Sequence, residues 1–131
     1  PLATRIFKEP ADYSTFEFIK GDSNAYFKWL IFMWISAAFG EELLFRAFAF
    51  SQLNKIIGEN KILTVLISAI LFSLPHLYQG NSGLLMTFLF GLVFGFIYLK
   101  FKNIWINIIV HGLIDTVFLT LSYYGMLEFY G

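Results

Sequence analysis

The chain of 131 residues contains no cysteine, which removes several kinds of chemistry at once. Without a thiol there can be no disulfide, no cysteine nucleophile and no Cys-ligated metal. The chain also has no net charge, because nine basic residues balance nine acidic ones. It therefore presents no basic field, and we expect no nucleic-acid partner.

Charged residues are scarce and apolar residues are abundant. They make up 14% and 58% of the chain, whereas soluble domains average about 25% and about 45–50%. Residues 62–99 contain no Asp, Glu, Lys or Arg at all. A soluble helical bundle needs a polar face on each helix, so this composition predicts a membrane protein with the lipid bilayer as its partner.

Four long apolar segments follow one another, at residues 26–53, 62–78, 84–99 and 104–124. A span needs about 20 apolar residues, with about 17 as the lower limit. We predict an all-α integral membrane bundle with four core transmembrane helices, which are antiparallel neighbours because their connections are short. In the third segment, Gly91 and Gly95 have the four-residue spacing that lets helices pack closely.

The polar N-terminal part differs from the rest. Residues 1–23 are interpreted as an extramembrane connector and residues 24–131 as the intramembrane core. Asp22, Ser23 and Asn24 are typical N-cap residues, so a helix is expected to begin there. Because the first residue is Pro1, we expect the chain to be a fragment of a longer protein.

Lysines indicate an orientation. Lys55 and Lys61 lie in or next to loop 54–61, and Lys100 and Lys102 in loop 100–103, whereas the intervening loop carries no basic residue. The positive-inside rule therefore predicts that both loops are cytoplasmic, with the chain in the cell (plasma) membrane.

Six residues of the apolar segments either are acidic or basic and lie away from the segment ends, or are histidines, and these are Glu41, Glu42, Arg46, His76, His111 and Asp115. A charge at mid-membrane costs roughly 2.5–3.5 kcal/mol on insertion scales. Such residues normally face the interior of the bundle and carry function.

Helical spacing separates the two adjacent glutamates. Glu42 and Arg46 are four residues apart and can form an ion pair on one face. Glu41 is about 100° further round an α-helix and faces a different neighbour.

Each of the two histidines has neighbours in the sequence that could orient its ring. Pro75 is expected to bend or end the second helix, which would turn His76 towards a cavity; Phe72 lies one turn earlier. In the fourth segment Asn107, His111 and Asp115 form a polar stripe at four-residue spacing. A carboxylate at Asp115 can set the tautomer of His111.

Three motifs occur in order, EELLFR at 41–46, FSLPH at 72–76 and HGLID at 111–115. This set resembles the CPBP family of intramembrane proteases, the CAAX protease and bacteriocin-processing enzymes that are also called the Abi family. The resemblance covers residues 26–124 and implies an endopeptidase that cleaves a membrane-associated peptide or a protein, including a prenylated one.

The resemblance also implies the roles of individual residues. Glu41 would activate water, His76 would help to hold it, and His111 with Asp115 would stabilise the oxyanion. Glu42 and Arg46 would be structural, with Phe72 and Asn107 in support. Many members have Asn where this chain has Asp115, and an ionised carboxylate cannot donate to an oxyanion.

Some alternatives stay open. Glu41, His76 and His111 are a possible Zn²⁺ ligand set, and the family is often labelled metalloprotease. HExxH is absent, however, and we favour a glutamate–histidine mechanism without a required metal. The same buried residues would also suit a proton- or ion-coupled transport element, or a non-proteolytic immunity or scaffold protein of the membrane.

Overall fold

A computed structural model describes residues 2–58 and 60–127, and all the regular secondary structure in these ranges is helical. Two short elements come first, α1 (Leu2–Phe7) and a 3₁₀ helix (Ser14–Ile19). Helix α2 (Ser23–Met33) then runs through two π-helical segments, Trp34–Glu41 and Leu43–Phe48, into α3 (Ala49–Ile57). The later elements are α4 (Lys61–Ser73), a second 3₁₀ helix (Leu74–Gln79), α5 (Gly80–Phe101) and α6 (Ile104–Tyr123). The all-α prediction is confirmed for the described residues.

Side-chain caps explain where three of the helices begin. The Asp22 carboxylate accepts a hydrogen bond from the Ala25 amide at 3.0 Å, which confirms the predicted start of α2. Asn60 and Asn103 accept in the same way from the amides of Leu63 and Trp105. Each cap satisfies an amide that has no partner inside its own helix.

Helices α4 and α5 fold back on each other through the second 3₁₀ helix. Pro75 stands at the start of that element, so the prediction that it ends or bends α4 is confirmed. Gly80 has a φ of 73°, which is a conformation that residues with a Cβ rarely adopt.

Close packing of α4 against α5 depends on two glycines. A Cβ at Gly91 would lie 2.9 Å from the Ala69 Cα, and one at Gly95 would lie 2.9 Å from a Val65 methyl carbon. The predicted packing role of this glycine pair is confirmed.

The outer surface of the bundle is apolar. On α6, Trp105, Ile109, Leu113 and Val117 form a stripe that is 51–60% exposed. Two helical stretches, Lys61–Phe101 and Ile104–Tyr123, are long and apolar enough to cross a membrane. The first contains both α4 and α5. These surfaces are those of a membrane protein, and a count of four crossings stays a prediction.

The N-terminal segment packs onto the bundle. Phe16 and Ile19 form a buried cluster with Leu119 of α6. Ser122 of α6 donates a hydrogen bond to the Phe16 carbonyl at 2.9 Å. This segment therefore lies against the end of the bundle where α2 begins and α6 ends.

Candidate active site

A chamber of about 280 Å³ lies among the first π-helical segment, the second 3₁₀ helix, α5 and α6. Its wall includes Glu41, His76, His111 and Asp115, the four residues predicted to be catalytic. Phe72 also lines it. The fold thus brings together three motifs that lie far apart in the sequence.

Glu42 lies next to this chamber and is fully buried. Its Oε1 is 3.0 Å from Nη1 of Arg46, so the predicted i, i+4 ion pair is present. The same oxygen is 2.9 Å from Nδ1 of His111. Oε2 accepts a hydrogen bond from the amide of Asn107 at 3.1 Å. One carboxylate therefore joins three side chains from two helices.

The contact between Glu42 and His111 changes one expectation. Asp115 was expected to set the tautomer of His111, but its Oδ2 is 3.6 Å from Nε2, beyond ordinary hydrogen-bond length. Glu42 makes the short contact with Nδ1, and it is therefore the carboxylate that orients the imidazole.

Arg46 is enclosed by aromatic rings and a main-chain carbonyl. Its guanidinium carbon is 4.3 Å from the centroid of the Phe72 ring and 5.1 Å from that of Phe94. Nη2 donates to the Gly91 carbonyl at 3.3 Å. Cation–π contacts of this kind are worth about 2 kcal/mol where water is excluded, so the rings help Glu42 to keep Arg46 charged.

The π-helical segments shape the chain around the two glutamates. Such turns are rare, and they are frequently found at functional sites. Across them the regular i to i−4 ladder is interrupted, and Ser68 of α4 donates to the carbonyl of Phe45 at 2.8 Å. The sequence predicted an uninterrupted α-helix here.

Glu41 differs from its neighbour in having no hydrogen-bond partner for Oε2, although that atom is buried. The side chain is half-buried and faces the chamber. A buried polar atom without a partner needs an explanation, such as a catalytic role or a bound water. Glu41 thus lines the chamber with a carboxylate whose Oε2 has no protein partner.

His76 is oriented by the main chain. Its Nδ1 lies 3.1 Å from the Phe72 carbonyl oxygen, which can only accept, so Nδ1 carries the proton of the neutral ring. Nε2 is then left as a hydrogen-bond acceptor.

The sequence analysis did not identify Trp34, Gly112 and Thr116, whose contacts fix how α6 packs against the first long helix. The Trp34 ring packs directly against Gly112, and a Cβ added to this glycine would lie 2.7 Å from carbon atoms of the ring. Its indole N–H donates to Thr116 at 3.0 Å, and Thr116 donates to the Gly112 carbonyl at 2.6 Å. Gly112 and Thr116 directly follow His111 and Asp115, so this contact sets the rotation of both. In the sequence, only the glycine next to His111 indicated a close contact at this position.

The donors do not fit a metal ion. In the part of the chain that the structure describes, no three His, Asp or Glu side chains are placed to share one. Nδ1 of both histidines is engaged, in His76 by a carbonyl and in His111 by Glu42, so that Nε2 is the nitrogen of each ring that is left for another partner. As placed here, Glu41, His76 and His111 do not converge on one point as the ligands of a tetrahedral Zn²⁺ site do, and a reaction without a required metal stays a prediction.

Buried acids and histidines around a chamber within apolar helices are typical of functional sites in membrane proteins. A family model described as type II CAAX prenyl endopeptidase Rce1-like matches residues 23–117, which is more than half of the chain. The chain therefore belongs to the Rce1-like family of proteases, as the three motifs predicted. No curated protein and no solved structure matches it significantly.

The two adjacent glutamates are expected to differ sharply in their effect on stability. Glu42→Ala leaves Arg46 buried without a counter-ion, which should destabilise the fold by about 3–5 kcal/mol. Glu41→Ala removes an acid that has no partner and should leave the fold at least as stable as the parent. Thermal unfolding of the purified protein in detergent, with both variants measured in parallel, checks this. Equal losses in the two variants would contradict the assignment.

Proposed function

We propose that this chain is an intramembrane endopeptidase that hydrolyses a peptide bond in a membrane-associated protein or peptide. The proposal rests on the different surroundings of the two adjacent glutamates. Glu42 is occupied by Arg46, His111 and Asn107, whereas Glu41 faces the chamber together with His76, His111 and Asp115. A carboxylate, imidazoles and an enclosed space are what amide hydrolysis by water needs.

Glu41 is the general base of this mechanism. The Glu41 carboxylate accepts a proton from a water molecule that also donates to Nε2 of His76. The resulting hydroxide attacks the carbonyl carbon of the scissile amide, and the carbonyl oxygen becomes an oxyanion. Protonated Glu41 then gives the proton to the leaving nitrogen, so that base and acid are the same group.

His111 is the group that stabilises the oxyanion. When it is protonated, Nδ1–H donates to Glu42 and Nε2–H is free to donate into the chamber. Glu42 balances the charge on the ring, as an ion pair in a buried site requires. Asp115, at 3.6 Å from Nε2, places a second carboxyl group near the charged ring and does not donate to the oxyanion itself.

A second part of the proposal concerns the membrane. Four crossings, formed by α2 with its π-helical continuation and by α4, α5 and α6, would place the chamber within the bilayer. Loops 54–61 and 100–103 would then lie in the cytoplasm, because they carry the lysines. The chamber would be nearest to the opposite face, where residues 9–19 pack, and the cell (plasma) membrane is the proposed location.

Proteolysis should depend on Glu41 and not on an equivalent acid elsewhere. In Glu41→Gln the amide cannot accept a proton from water, and cleavage should fall by at least about 100-fold. Asp22→Asn is the control, because Asn caps a helix as well as Asp and residue 22 lies outside the chamber. Mass spectrometry of prenylated CAAX peptides and apolar membrane peptides incubated with the purified proteins measures cleavage. Full activity in Glu41→Gln would refute the mechanism.

Activity should survive removal of metal ions. Within residues 2–58 and 60–127 no His, Asp and Glu side chains are placed to share a Zn²⁺ ion, so prolonged dialysis against a chelator is expected to leave the cleavage rate unchanged within about twofold. The same samples are analysed for bound metal by mass spectrometry. A loss of activity that Zn²⁺ restores would show that a metal takes part.

The absence of cysteine makes the orientation easy to test. Lys55→Cys and Thr15→Cys each introduce one thiol into an otherwise thiol-free chain. In intact cells a membrane-impermeant maleimide should label residue 15 and spare residue 55, and lysis should expose both. Labelling of residue 55 before lysis would reverse the proposed orientation.

A further inference from the structure

Residues 9–19, called here the roof segment, complete the chamber although they lie outside the part of the chain that matches the family. Tyr13 and Phe16 from this segment line the chamber. Both rings pack edge-on against Phe118 of α6, with centroids 5.0 and 5.1 Å away. Part of the wall therefore comes from a segment that the family match does not include.

The roof segment is attached at its N-terminal end to the start of α5. The Glu9 carboxylate accepts from the Asn81 amide at 2.9 Å, and the Glu9 carbonyl accepts from the Ser82 hydroxyl at 2.5 Å. The amide of Asp12 donates to the Gln79 carbonyl at 3.0 Å. Because the other end is held by the buried cluster of Phe16, Ile19 and Leu119, the segment is fixed in place.

A second cavity lies on the other side of Tyr13. It has a volume of about 670 Å³, and Tyr13 lines both this cavity and the chamber. Asp12, Ser14, Glu17 and Lys20 give it polar, exposed walls. We call this cavity the polar groove. Its walls carry the charged side chains of Asp12, Glu17 and Lys20, whereas aromatic rings make up much of the chamber wall.

Asp12 and Tyr13 differ in protonation state, as expected for an exposed carboxylate and a half-buried phenol. Hydrogen bonds from Ser14 lower the pKa of Asp12, so this carboxylate is ionised at neutral pH. Burial and the neighbouring Tyr78 phenol raise the pKa of Tyr13, so its hydroxyl stays neutral. Tyr13 thus lies between the largely aromatic chamber and a groove with charged, exposed side chains.

We propose that the polar groove binds the hydrophilic segment of the peptide substrate while the scissile bond lies in the chamber, with Tyr13 as the contact at the junction. This inference rests on the proposed proteolytic function and specifies its substrate class. The substrate is a peptide in which an apolar stretch passes directly into a polar one near the cleaved bond. An extended chain covers about 3.3–3.6 Å per residue, so a few residues reach from one cavity to the other.

Photocrosslinking tests the path of the substrate without requiring cleavage. A photoreactive phenylalanine analogue is placed at Met86 in the chamber, at Ser14 in the groove, or at Thr15, which is exposed but lines neither cavity. All three carry Glu41→Gln to prevent turnover. The probe is a biotinylated peptide with a leucine-rich half and a half rich in serine and lysine, and the full chain is held in lipid nanodiscs.

Capture at Met86 and Ser14 should exceed capture at Thr15 by about tenfold, as expected for a specific site over a passing contact. Capture at Met86 without Ser14 would overturn the groove assignment and leave the proteolytic site standing. Equal capture at all three positions would also overturn the groove assignment, and so would a lack of capture at every position. Thermal unfolding confirms that each variant is folded.

Cleavage rates provide a second, independent readout. The parent enzyme should prefer the two-part peptide over the same peptide without its hydrophilic half, mainly through KM. Tyr13→Ala should reduce this preference by about tenfold or less, the range that one aromatic contact supports, whereas Thr15→Ala should not change it. Cleavage of both peptides at equal rates would refute the groove inference alone, and cleavage of neither would refute the proposed function.

Discussion

The Glu42 carboxylate is the interaction on which the rest of the site depends. It forms an ion pair with Arg46 on its own helix and hydrogen bonds with His111 and Asn107 on α6, and Asn107 also donates to the Phe94 carbonyl on α5. A buried carboxylate is stable only when it is paired and hydrogen-bonded on several sides. The bundle therefore cannot shift one helix against another without leaving a charge or a polar group unpaired in an apolar interior.

This constraint also explains why two acids stand side by side. A single glutamate could not both neutralise Arg46 and stay free to accept a proton. Glu42 takes the structural role completely, and Glu41 is left with an oxygen that has no protein partner. Burying Glu41 without a partner lowers the stability of the fold, and the rigid network around Glu42 offsets this loss. Strained groups at active sites are commonly supported by their surroundings in this way.

Local patterns in the sequence predicted well those features that depend on local geometry. The helical class, the start of α2 at Asp22, the end of α4 at Pro75 and the pair of Glu42 with Arg46 all follow from spacing within one or two turns. The match to the protease family followed from the order of three short motifs. Each of these signals lies within a few consecutive residues, where chain connectivity limits the possible arrangements.

Features that depend on contacts between distant segments could not be predicted in this way. The π-helical turns arise where α4 and α6 pack against the first long helix, and no residue pattern marks them. The short contact of His111 with Glu42 rather than with Asp115 depends on helix rotation, which Trp34 sets through Gly112. The roof segment was interpreted as a connector, because its polar composition does not reveal what Tyr13 and Phe16 cover.

Several polar side chains at the site have main-chain carbonyls as partners, namely those of Phe45, Phe72, Gly91 and Phe94. A carbonyl is supplied by any residue type, so a substitution at such a position need not be matched by a change in its partner. Correlated variation between homologous sequences would therefore reveal the pairs of Glu42 with Arg46 and His111. It would miss the contacts that aim His76 and anchor Arg46, although these define the same site.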